Sequence, residues 1–116
     1  MTISLVVVDH PPVVMQTLIA RLSLEPDLRV VGAASDAGMA IALTHELQPD
    51  VVLLDAEMPH LDVRSVVQAL APRTTIIILT IEPPRAREAN PIATVVGKHE
   101  GIAALLAAIR AAGAGA

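Results

Sequence analysis

Five short apolar runs punctuate the chain: Ile3–Val8, Leu28–Ala33, Val51–Leu54, Thr75–Leu79 and Thr94–Val96. Most are unbroken stretches of Val, Ile and Leu. Strands covered on both faces read this way, because neither side can be polar, and such strands belong to parallel sheets. The segments between them carry helical spacing instead. Val14, Leu18 and Leu22 recur four apart. Ala40, Leu43 and Leu47 share a face, with Asp36 placed to cap the start. A short third helix is predicted from about Arg64 to Leu70, with Val66, Val67 and Leu70 apolar. Ile102, Leu105, Leu106 and Ile109 follow i, i+3, i+4, i+7. The segment IEPPRAREANP between the fourth and fifth runs is the weak unit. Pro84 and Pro91 bracket six residues there, which as a helix span only ~9 Å. Proline opens a helix but does not sit within one, so a shortened or irregular fourth helix is predicted.

Regular alternation of strand and helix implies an α/β fold, a doubly wound parallel sheet with right-handed crossovers. A chain of 116 residues suits one domain of the commonest size. That domain is assigned to residues 1–112, and the small-residue tail 113–116 reads as the start of a linker. Ligands of open α/β sheets bind beyond the carboxyl ends of the strands, where strand order reverses. With the order 2-1-3-4-5, four strand ends bring Asp9 and His10, Asp55, Thr80, and Gly97 and Lys98 together. Lys98 is the only lysine of the chain. Carboxylates, a hydroxyl and a cation suit phosphoryl transfer onto an aspartate. No glycine-rich phosphate loop is present to cradle a nucleotide.

Composition narrows the classes further. The chain is 53% apolar with no aromatic residue, so the core is aliphatic and no Trp or Tyr anchors an interface. Without cysteine, disulfide scaffolds, thiolate metal sites and Cys nucleophiles are excluded. Eight basic residues against twelve acidic ones give a charge of −4, which argues against this segment gripping nucleic acid itself. No apolar run approaches the ~18 residues of a membrane span. The N-terminus lacks the basic start of a signal peptide, so a cytoplasmic location and no membrane partner are expected.

The ordered set of motifs resembles the receiver domain of bacterial two-component response regulators, over essentially the whole length. The segments are VVVDHPPVV at the first strand, EPDLRVVGAASD across the second, LQPDVVLLDAEMPHLD around Asp55, then Thr80 and Lys98 at the last two strand ends. The PDLRVVG segment and the 46-residue interval from Asp9 to Asp55 are similar to the subgroup with a LuxR/NarL-type helix-turn-helix output. The resemblance implies a flavodoxin-like (βα)5 sandwich. It makes Asp55 the phosphoacceptor and Asp9 the first of two acidic residues that hold Mg²⁺. Glu57 matches the position whose carbonyl contacts the metal. Thr80 matches the switch hydroxyl and Lys98 the phosphoryl-binding lysine.

The departures from that pattern bear on function. His10 stands where the second acidic metal ligand belongs, and Mg²⁺ prefers oxygen donors, so any magnesium site on Asp9 and Asp55 is weak. Ile81 replaces a small residue and is expected to crowd access to Asp55. Val95 replaces the aromatic residue that turns on activation. Thr94, His60 and Val63 replace customary glycines, and the Thr80–Lys98 interval is short by a few residues at the fourth helix.

The expectation is an atypical, non-enzymatic receiver that regulates or dimerises a DNA-binding output domain absent from this chain, with weak or no Mg-dependent phosphorylation of Asp55. The alternative is a conventional receiver that takes phosphate on Asp55 from a histidine kinase. A free-standing aspartate phosphatase is disfavoured, because Asp9 is not followed two residues on by a second Asp. The fifth helix is nearly uncharged outside its apolar face, which makes Ala104, Ala107, Ala108 and Ala111 a candidate homodimer face. A small ligand near Ile81 and Val95 is a further candidate input.

Overall fold

The computed structural model describes residues 2–114. The chain forms β1 (Ile3–Val8), α1 (Pro12–Leu22), β2 (Leu28–Ala34), α2 (Ala37–Leu47), β3 (Val51–Asp55), α3 (Val63–Leu70), β4 (Thr75–Thr80), α4 (Pro83–Ala89), β5 (Thr94–Gly97) and α5 (Ile102–Ala114). All strand pairs are parallel and the order is β2-β1-β3-β4-β5. This is the doubly wound parallel sheet expected from the pattern and the flavodoxin-like sandwich implied by the resemblance. One register shift interrupts the β1–β2 ladder between Leu5 and Val6.

Each strand alternates sides, so the continuous apolar runs feed two separate cores. Val6, Val8, Val52, Leu54, Ile76 and Ile78 pack with Ala40 of α2, Val66, Val67 and Leu70 of α3 and Ala86 of α4. Leu5, Val7, Val51, Leu53 and Ile77 pack on the other face with Leu22 of α1 and Leu105, Leu106 and Ile109 of α5. Aliphatic side chains of this size each contribute about 1.5–3 kcal/mol when fully buried, and twelve of the largest are under 2% exposed. Val14, placed by its spacing in the first helix's core stripe, is instead exposed, and Leu22 alone of that helix is buried.

Local signals fix the helix starts. Asp36 caps α2, its carboxylate accepting from Met39 N–H at 2.8 Å. Asp62, not singled out by the pattern, caps α3 by accepting from the Ser65 N–H and hydroxyl. The proline-opened α4 is seven residues long and is the short unit predicted. The last helix continues to Ala114, so Gly113 and Ala114 are helical and not linker. Gly113 is buried so closely against Ile3 that a Cβ there would lie 2.5 Å from Ile3 Cδ1. Residues 115–116 of the proposed tail lie outside the described residues.

The opposite end of the sheet from the candidate site is clasped by polar bonds. Asp50 accepts from the Ser4 N–H at 2.9 Å and hydroxyl at 3.1 Å, and the Ser4 hydroxyl accepts from Asp50 N–H at 2.9 Å. Replacing Asp50→Ala strands a half-buried strand N–H, which costs about 1–3 kcal/mol. Urea unfolding followed by circular dichroism is expected to show a lowered midpoint with unchanged slope.

Candidate functional site

Strands β1, β3, β4 and β5 each run one residue further than their apolar cores, or end just before a polar one. That geometry sets Asp9 just after β1, and Asp55, Thr80 and Gly97 as the last residues of their strands. The reversal of strand order falls between β1 and β3, where Asp9 and Asp55 meet. Both carboxyls are 6% exposed and Thr80 is 2% exposed.

The two buried aspartates shift each other's ionisation. Burial pushes Asp9 up from its ordinary 3.8 to about 7, and its hydrogen bond to Asp55 adds to the rise, against the His10 N–H that favours its charge. For Asp55 burial also acts upward, but the Asp9 proton, Lys98 and the Glu57 N–H at 2.9 Å outweigh it and hold the group below the usual carboxylate range. Like charges this close ionise one at a time.

Lys98 supplies the counter-charge. Its Nζ lies 2.8 Å from Asp55 Oδ1 and 3.0 Å from Glu57 Oε1. Burial alone would lower the ammonium's pKa, and the two carboxylates more than reverse this and raise it. The Glu57 carboxylate also accepts from the Thr80 hydroxyl at 2.8 Å and from Ile81 N–H at 3.0 Å. The Thr80 hydroxyl accepts in turn from Glu82 N–H at 3.0 Å. The resemblance implied only a carbonyl role for Glu57. The place of its side chain is a feature that the motif did not carry.

The remaining candidates sit apart from this cluster. The His10 side chain is exposed and donates only its backbone N–H to Asp9, at 2.7 Å. The Ile81 side chain is 66% exposed, and what that residue brings to the site is its amide. Val95 is buried in the core of the α2–α4 face, where no side chain turns outward. A cavity of about 160 Å³ adjoins Glu57 and Thr80, walled by Val63, Arg85, Ala86 and Asn90 among others. Neither Ile81 nor Val95 lines it, and its volume is below the roughly 300 Å³ at which small-molecule sites begin. On α5, Ala107 and Ala111 are exposed, whereas Ala104 and Ala108 lean on the core. The outward stripe is therefore Ala103, Ala107 and Ala111. Arg110 beside it is bound to Asp27 at 2.8 Å and to Glu25 at 2.8 Å.

A magnesium ion asks for several ionised oxygen donors. Among the described residues no three His, Asp or Glu side chains gather as a metal set. The His10 side chain is exposed, and the cation facing Asp55 is Lys98. Asp9 and Asp55 are the side chains that would hold a Mg²⁺ ion here.

Comparison with known proteins agrees with the geometry. The response regulator receiver domain family matches residues 5–110. A protein-glutamate methylesterase/protein-glutamine glutaminase of Anaeromyxobacter dehalogenans is 38% identical over 78 residues, 66% of this chain and 23% of that protein. One of Pseudomonas savastanoi is 47% identical over 60 residues, 52% of this chain and 17% of that protein. The chain thus spans about a fifth of the length of these curated relatives. Among solved structures, the response regulator domain of Thermotoga maritima CheB superposes with TM-score 0.84 at 28% identity, covering 97% of each chain. A LuxR-family response regulator of Aurantimonas gives TM-score 0.85 at 29% identity, covering 99% of this chain and 87% of that one. The receiver domain of NarL from Mycobacterium tuberculosis gives 0.78 at 27%, covering 94% and 97%.

The raised pKa of Asp9 predicts a pH dependence. Asp9 binds its proton more tightly folded than unfolded, so its contribution to stability is full below pH ~4 and is lost as pH rises toward 7. The slope is at most about 1.4 kcal/mol per pH unit for one proton. Denaturant midpoints are expected to fall between pH 4 and 7 in the native chain, and this component is absent in Asp9→Asn. An identical profile in both chains contradicts the assignment.

Proposed function

The chain belongs to the response regulator receiver domain family, and on that premise we propose that it is an atypical receiver, controlling an output domain with little or no Mg-dependent phosphorylation of Asp55. The observation that carries this reading is the Lys98 ammonium seated 2.8 Å from Asp55, beside an exposed His10 where the resemblance places the second acidic metal ligand. A metal-assisted receiver needs acidic oxygen donors beside Asp55, and here one of them is replaced by His10 while Lys98 supplies the positive charge on Asp55. Non-covalent control then falls to the Lys98–Asp55–Glu57 cluster and to association of the chain with a second copy through Ala107 and Ala111.

The conventional reading rests on a specific observation too. The Asp55 carboxylate, the Thr80 hydroxyl and the Lys98 ammonium lie at adjoining strand ends, the set a phosphoacceptor requires. A histidine kinase is the phosphate source in that reading. For the output, the PDLRVVG segment and the likeness to NarL and LuxR-family receivers support a DNA-binding, helix-turn-helix partner domain. The methylesterase relatives support an enzymatic output as the second candidate. In both readings the receiver itself is the non-catalytic regulatory unit, and a cytoplasmic setting follows from its partners. No helix among the described residues is long and apolar enough to cross a membrane.

Incubation with phosphoramidate, with and without Mg²⁺, separates the two readings. Transfer would form an Asp55 Oδ–P bond as the donor's P–N bond breaks, with ammonia leaving. Intact-mass spectrometry is expected to show no more than a trace of phosphorylated chain, unchanged by Mg²⁺. Stoichiometric, Mg-dependent phosphorylation that disappears in Asp55→Asn would establish the conventional receiver. For association, Ala107→Arg with Ala111→Arg is expected to lower the mass seen by light scattering from dimer to monomer. A monomeric native chain removes the dimer from the account.

A further inference from the structure

Asn90 ends α4, and one of its atoms has no partner. Its N–H donates to the Ala86 carbonyl at 2.9 Å, and its own carbonyl accepts from Ala93 N–H at 3.1 Å. Its Nδ2 donates to the same Ala86 oxygen at 3.2 Å. Its Oδ1 alone, of the buried side-chain polar atoms among the described residues, makes no hydrogen bond. The residue is 6% exposed. Burying an amide is unfavourable unless each of its groups is bonded. An orphaned acceptor therefore calls for a donor that the chain itself does not supply.

Such a donor has a place to sit. Asn90 walls a cavity of about 180 Å³ together with Arg64, Val67 and Gln68 of α3 and Pro91 and Ile92 after α4. A void of roughly 150 Å³ holds one aromatic ring, so this cavity is of single-ring size. Val67, Pro91 and Ile92 give it apolar walls, and Ile92 is left 67% exposed. Arg64 is exposed and makes no ion pair among the described residues. The neighbouring Asp62 carboxylate is occupied by the Ser65 N–H and hydroxyl. The cavity thus combines a buried acceptor, apolar sides and an exposed cation whose guanidinium also favours the face of an aromatic ring. The Asn90 oxygen is reached by a turn about its Cβ–Cγ bond, a soft torsion. The Ala86 oxygen keeps the Asn90 N–H when Nδ2 leaves it, so the turn strands no acceptor there.

We propose that the cleft between α3 and the end of α4 binds a small single-ring aromatic acid that carries an O–H or N–H donor. The donor bonds Asn90 Oδ1, the ring lies against Val67, Pro91 and Ile92, and the acid group pairs with Arg64. The cleft uses none of Asp55, Thr80 or Lys98, so it stands whether or not Asp55 accepts phosphate. Ala89 and Asn90 also wall the cavity that adjoins Glu57 and Thr80, which places the bound ligand one side chain away from the strand-end cluster.

The test titrates the chain with 4-hydroxybenzoate and 3-hydroxybenzoate while amide spectra are recorded at constant ionic strength. Benzoate serves as the probe without a donor, and 4-hydroxybenzyl alcohol as the probe without an acid. With at least one hydroxybenzoate, saturable shifts are expected at Val67, Gln68, Asn90 and Ile92. Benzoate is expected to bind at least threefold more weakly, the loss of about one hydrogen bond. In Asn90→Ala that difference between hydroxybenzoate and benzoate is expected to vanish. In Arg64→Gln, an exposed substitution that leaves the core intact, both acids are expected to weaken at least threefold and the alcohol to be unaffected. Absence of saturable shifts with both hydroxybenzoates would overturn the proposal. So would equal affinity for benzoate in the native chain, or shifts confined to the amides around Lys98 and Thr80, which would mark an anion held at the strand ends instead.

Discussion

One ammonium group balances the acidic end of the sheet. Lys98 is the chain's only lysine, and it contacts Asp55 and Glu57 together. Asp9 adds a third carboxyl within the same cluster. Burial beside Asp55 raises Asp9, which makes it the carboxyl of the cluster most ready to take up a proton. Burial raises the cost of every unpaired charge here. Removal of the lysine would leave the cluster without its cation, so the arrangement of β1, β3, β4 and β5 ends depends on it.

The sheet makes such a cluster unavoidable. Parallel strands buried on both faces end together on one edge, and the chain must turn there from apolar core to polar loop. Asp55 and Thr80 are the last residues of their strands and pair into the ladder beside Leu79 and Gly97. Their positions are thus fixed by the same hydrogen bonds that build the fold. The two cores, Val8 and Leu54 on one side and Val7 and Leu53 on the other, hold the strands from both faces. A site on this edge is rigid at its floor and adjustable at its rim, where Glu57 and the β4–α4 junction lie.

Most of the fold was legible because it rests on local pattern. Unbroken Val, Ile and Leu runs announced doubly covered strands, Asp36 announced a helix start, and Pro83 and Pro84 announced a short α4. The strand-end residues followed from topology, and the family motifs then gave each of them an expected role. The misses share one cause: they depend on contacts between distant residues. Val14 has helical spacing but lies exposed on α1. Ala104 and Ala108 look like surface alanines, yet they rest on the α5 side of the core. Gly113 reads as a linker residue until Ile3 is seen against it. Motif knowledge gave Glu57 a backbone role, and no spacing rule announces that its side chain would turn toward Thr80, Ile81 and Lys98. A sequence signal existed in hindsight: an acidic residue two positions after Asp55, facing the chain's sole lysine.

The uniqueness of Lys98 makes the central claim directly measurable. Apart from the N-terminus, the chain carries one ammonium group, so nitrogen-detected NMR gives a single lysine Nζ resonance without assignment ambiguity. If Lys98 is clamped between Asp55 and Glu57, that resonance stays visible in slow exchange at neutral pH. Its titration then lies above the ordinary 10.5, and it moves down toward that value when Glu57 is replaced by Gln. A rapidly exchanging ammonium that titrates at or below 10.5, unmoved by loss of the Glu57 charge, would contradict the account.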